Sequence, residues 1–197
     1  MTDRSGVAAF APSDPLDGRP PLDWESKYDK RAKIAIRCEA CYLGVLLAIV
    51  PVGMLVVWLE GPRAWLFIPS AKYPTFSRFS ISWLSGTLGG TLFAVKWLYH
   101  SVARRIWHLD RRLWRLFTPH ISGGLSFSVF ALVTSGILRV FDRTALHSMP
   151  AIVGVGFLVG YFSDSAVAKL SEVAETLFGA SRVKSEAQKQ LQDGAAR

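Results

Sequence analysis

The sequence predicts an all-α membrane protein of about four transmembrane helices, with an interfacial basic amphipathic helix and a C-terminal amphipathic extension. Three observations carry that prediction. Four apolar stretches come close to or reach the roughly 20 residues an α-helix needs to cross a bilayer. Charged residues, 19% of the 197, are gathered between those stretches. Lysine and arginine are unequally shared between alternate connecting segments, the asymmetry that orients a multi-pass chain.

Residues 1–23 hold Pro12, Pro15, Pro20 and Pro21 among glycines and aspartates, too little apolar surface to offset chain entropy, so a disordered cytoplasmic arm is expected. The transmembrane domain is expected over 24–178, beginning with a charged lead-in to residue 37. The first span is expected over 39–59. No side chain between 40 and 59 is charged, and Pro51 would free the Leu47 carbonyl and kink the helix near 51–53. Residues 60–78, with Gly61, Pro62, Pro69 and Pro74 among Trp65, Phe67 and Tyr73, read as an outer loop whose aromatic rings rest at the membrane surface. The second span, over 79–99, carries Lys96 near its end, where the stem can run along apolar surface to the headgroups.

Over 102–117, Val102, Ile106, Leu109, Leu113 and Leu116 recur at helical spacing, with arginines mostly on other faces. This pattern predicts a helix lying in the interface, with Arg104, Arg105, Trp107, Arg111, Arg112, Trp114 and Arg115 against anionic lipid. The third span is expected over 120–138 and a polar link over 139–148. The fourth, over 150–170, starts at Pro150, a favoured first helical residue. Its apolar part ends at Phe162, which leaves Asp164 at the inner headgroup boundary. Ala166, Leu170, Val173, Leu177 and Phe178 continue a helical stripe into the cytoplasm, before a mobile tail over 179–197.

Counting basic residues tests this layout. Fourteen lysines and arginines near the membrane fall on the three proposed inner segments, against five outside: Arg63, Lys72, Arg78, Arg139 and Arg143. Both termini are therefore expected in the cytoplasm. The first apolar run begins near residue 40 and reads as an uncleaved anchor rather than a secretory signal. A net charge of +8 and pI near 9.8 do not point to nucleic acid here, because the positive residues flank apolar spans instead of forming one stripe.

Cys38-Glu39-Ala40-Cys41 is a C-x-x-C pair with no second cysteine pair to complete a zinc site, so it reads as two reduced thiols at a helix start. A membrane redox role for Cys38 and Cys41 is the enzyme alternative. Neither a cofactor nor a metal is called for by any complete ligand set. Asp164 is the one acid placed to enter the hydrocarbon; with Lys96 as its partner it would define an ion or proton path near the inner mouth. Gly86-x-x-x-Gly90 and Gly156-x-x-x-Gly160 are expected at helix-packing contacts, within the chain or between subunits.

The run Gly156-Phe-Leu-Val-Gly160-Tyr-Phe-Ser-Asp164 and its continuation to Phe178 resembles the last membrane helix of a loose group of small bacterial inner-membrane proteins without assigned activity. That resemblance implies a multi-pass bacterial inner-membrane protein whose last helix passes into a cytoplasmic amphipathic segment. The expected function is non-enzymatic: self-association, docking of a cytoplasmic protein partner, or both, with anionic lipid as a further partner. The alternative is a channel, small transporter or membrane-permeabilising effector built on Asp164 and Lys96.

Overall fold

In the computed structural model, Ser26, residues 28–138 and residues 148–179 are described, without the side chains of residues 177 and 178. The expected arm over 1–23, most of the link over 139–148 and the tail beyond 179 lie outside the described residues.

Helix α1, Lys30–Trp58, is started by Asp29, whose carboxylate accepts the Arg31 amide at 3.4 Å and satisfies one of the donors a helix leaves open at its N-terminus. Its 29 residues make it about 44 Å long, so the charged first turns extend past the uncharged run that begins at Ala40. The helix assignment continues through Pro51. A short helix α2, Gly61–Trp65, occupies part of the expected outer loop, and Tyr73 donates its hydroxyl back to the Val57 carbonyl at the end of α1.

Helix α3, Tyr73–Ala103, opens before the expected start at 79. The reason is Pro74. In the first turn a proline's missing N–H has no partner to lose, so a residue that reads as a loop marker is a helix starter here.

The single interfacial helix expected over 102–117 is not present. Ala103 ends α3, residues 104–111 turn the chain with Arg105 at φ 57°, and α4 begins as Arg112–Ser135. Val102 and Leu116 are half-buried while Ile106, Leu109 and Leu113 between them are exposed, and helical spacing alone cannot register the break in the chain. Gly136, at φ 82°, closes α4 and donates its amide to the Val133 carbonyl at 3.1 Å, the inner bond of a Schellman motif.

Helix α5, Met149–Tyr161, has Pro150 in its first turn. The expected continuous span over 150–170 is broken: α6, Ser163–Phe178, departs from α5 at 94°. Phe162 leaves helical geometry (φ −103°, ψ 38°), and Asp164 falls in the first turn of α6, where a carboxylate complements the helix dipole.

Ring contacts between Phe79 and Phe130 at one end and Trp97 and Trp114 at the other make α3 and α4 antiparallel. Tyr28 reaches Ser101, and Val57 accepts from Tyr73, so α1 is antiparallel to α3 as well. Gly156 lies against Ser85 and Gly160 against Gly86, which sets α5 parallel to α3. α3 is thus the central helix, touched by α1, α4 and α5. One apolar cluster gathers Val57, Ile81, Val129, Phe130, Val133 and Ile152; a second, at the other end, joins Leu43, Ala94, Leu98 and Trp107. The described residues form helices and connections without a strand. α1 and α4 are each long and apolar enough to cross a membrane, and the bent pair α5 and α6 makes a third if it counts as one span.

Candidate functional site

Glu39 and Arg115 meet inside the bundle at the end where α1 starts, α3 stops and α4 begins. Glu39 is fully buried and Arg115 is 3% exposed. The guanidinium donates from Nη2 to Oε1 at 3.1 Å and from Nε to Oε2 at 3.2 Å, a two-pronged geometry that suits a planar carboxylate. Trp107 Nε1 donates to the same Oε2 at 3.0 Å, and the Arg115 guanidinium lies 5.7 Å from the Trp107 ring centre. Arg115 Nη2 also reaches the His108 carbonyl at 3.4 Å. One buried carboxylate therefore ties α1 to α4 and to the turn over 104–111.

Two tyrosines of the α1 side extend the junction. The Tyr28 ring packs edge-on to Trp107, and its hydroxyl donates to the Ser101 and Val102 carbonyls, which a helix C-terminus leaves without intrahelical partners. Tyr42 donates to the Leu116 carbonyl at 3.1 Å and lies 2.7 Å from His120 Nε2.

Between the two apolar clusters, α3 meets α4 and α5 through small residues. Ser82 and Ser126 exchange bonds: Ser126 Oγ donates to the Ser82 carbonyl at 2.8 Å, and Ser82 Oγ to the Ser126 carbonyl at 3.1 Å. Gly86, Gly90, Gly156 and Gly160 all stand where a Cβ would collide: Gly86 and Gly90 with Ser126 and Ser122 of α4, Gly156 with Ser85, and Gly160 with the Gly86 backbone. Ser122 Oγ is buried there without a hydrogen-bond partner among the described residues.

The residues expected at a lipid-facing helix separate. Arg104, Arg111 and Trp114 are exposed and Arg105 and Arg112 are half-buried, whereas Trp107 and Arg115 turn inward to Glu39. Among the described residues Lys96 and Asp164 form no ion pair; Lys96 Nζ lies 3.5 Å from the Tyr161 hydroxyl, and Asp164 is exposed. Lys96 instead lines a groove of about 370 Å³ with His100 and Arg104, walled by Phe93, Trp97 and Tyr161. Cys38 and Cys41 are both exposed thiols on α1. Sequence reasoning used Glu39 only to mark the start of a span. The available signal was its position as the last charge before an uncharged run, in a chain with an arginine-rich segment to pair it. No protein-family model, curated protein or solved structure matches the chain.

Proposed function

We propose that the chain is a multi-pass protein of the bacterial inner membrane, with both termini in the cytoplasm, that works by association rather than catalysis. In this reading α1, α3, α4 and α5 are its four membrane segments, and α6 lies along the inner surface. α6 is the contact element, first toward a second copy of the chain and then toward a cytoplasmic partner.

The observation that carries the reading is the departure of α6 at 94° from α5. It leaves Val167 50% exposed, beside half-buried Ala166, Leu170 and Val173, on a helix that touches its own bundle only lightly. An apolar stripe of that kind on an otherwise charged helix is the form in which helices engage grooves, partner helices or the membrane surface. Support for the orientation comes from the basic residues of α1's first turns and of the turn over 104–111, which share one end of the bundle, as positive-inside insertion requires.

A cysteine at Val167, in a background where Cys38 and Cys41 are serine, tests the proposal in native membranes. Oxidation should trap a disulfide-linked dimer, and Leu170→Asp should abolish it. A product that stays monomeric while thiol labelling shows the new cysteine to be accessible would refute self-association through α6.

A further inference from the structure

The cationic groove beside the α5–α6 bend has chemistry that helix packing does not use. Lys96, His100 and Arg104 succeed one another at four-residue spacing, on one face of the last turns of α3. Lys96 and Arg104 thus set two cations along the groove, with the His100 imidazole between them. Among the described residues no carboxylate pairs with any of the three, although Lys169 and Arg63 each have an acidic partner.

The depth of these groups follows from α1. Leu43, near the start of the uncharged run, packs with Ala94 and Leu98, so Lys96 lies at the level where charge first appears on α1. Arg104 lies two further turns toward the polar end. The groove walls are aromatic: Phe93 meets the Tyr161 ring at 6.0 Å and the Trp97 ring at 6.4 Å, and Phe162 stands 54% exposed at the bend. Lys96 and Arg104 interleaved with the aromatic surface of Phe93, Trp97 and Tyr161 match an amphiphile rather than a free anion, and about 370 Å³ accepts a headgroup with its glycerol.

We propose that this groove binds the phosphate headgroup of one anionic phospholipid, with Lys96, His100 and Arg104 as its ligands. The proposal rests on the membrane reading above. Tryptophan fluorescence of the full chain in phosphatidylcholine vesicles tests it, with brominated phosphatidylglycerol or brominated phosphatidylcholine as quencher.

Quenching by the anionic lipid should reach its midpoint at about thirtyfold lower mole fraction than by the zwitterionic one, as two near-surface cations imply. Lys96→Gln with Arg104→Gln should remove that preference. Trp97→Phe should remove the selective part of the signal. The charge-matched pair Lys33→Gln with Arg37→Gln, at the same end of the bundle, should leave both intact.

Equal response to the two lipids, or equal loss in the Lys33 and Arg37 variant, would show diffuse surface attraction and overturn the site. Full reversal by millimolar inorganic phosphate would make it a free-anion site and overturn the lipid assignment. Failure of the chain to float with the vesicles would defeat the membrane reading itself, a result distinct from either.

Discussion

Glu39 is a charged atom group placed where neither lipid nor apolar side chains can solvate it, and among the described residues its two oxygens are satisfied only by Arg115 and Trp107. Removing one member of such a pair leaves the other uncompensated and typically costs about 3–5 kcal/mol, whereas replacing both by apolar residues of similar volume is often nearly neutral. Glu39→Ala should therefore lower the thermal midpoint in mild detergent sharply. Glu39→Met with Arg115→Met should melt closer to the wild type than either single change; a double variant no more stable than the worse single one would contradict this account. The pairing was illegible because its members are separated by 76 positions. Nothing within residues 102–117 distinguishes the arginine that reaches Glu39 from the four that do not. Lys96 was legible as a boundary residue, but its partner was not, since tertiary packing sets it against the Tyr161 hydroxyl instead of Asp164.

Helices approach one another here at backbone distance, and a single carbon decides whether they can. Gly160→Ala places a methyl against the backbone of Gly86, which the flanking helices cannot easily yield, so a loss of about 1–3 kcal/mol is expected, as for an overpacked core. Gly44 and Gly154 have open space at the same position. Alanine there should hold or raise stability by up to about 1 kcal/mol through helix propensity. Parallel thermal melts of the three variants would check both signs, and equal effects would mean the close crossing of α3 and α5 is absent. The glycine spacing announced tight packing but not its partners. The break at Phe162 was hidden for another reason: no glycine or proline marks it, and the apolar stripe through Ala166, Leu170 and Val173 keeps helical spacing on its far side. At the α3–α4 turn the same limit merged two helix ends into one.

Across the whole chain, helical class was readable because uncharged length and helical periodicity are local properties. α1 and α4 are long and apolar enough in the structure to cross a membrane. α3 does not announce itself as clearly, because its middle is made of serine, threonine and glycine buried against neighbouring helices, and a central helix need not be apolar on every face. Sidedness can be checked with the native thiols. A membrane-impermeant maleimide should label Cys38 in inverted vesicles and spare it in intact spheroplasts, whereas a cysteine at Phe67, 90% exposed beyond α2, should show the opposite pattern in a Cys38→Ser, Cys41→Ser background. Reversal of both patterns would invert the orientation. The Glu39–Arg115 junction also bears on biogenesis. The acid emerges from the ribosome with the first hydrophobic helix, while its guanidinium partner follows only with the third. Until translation has passed Arg115 the early helix lacks the partner that satisfies its acid in the fold. The junction between the start of α1 and the start of α4 can therefore close only late in synthesis.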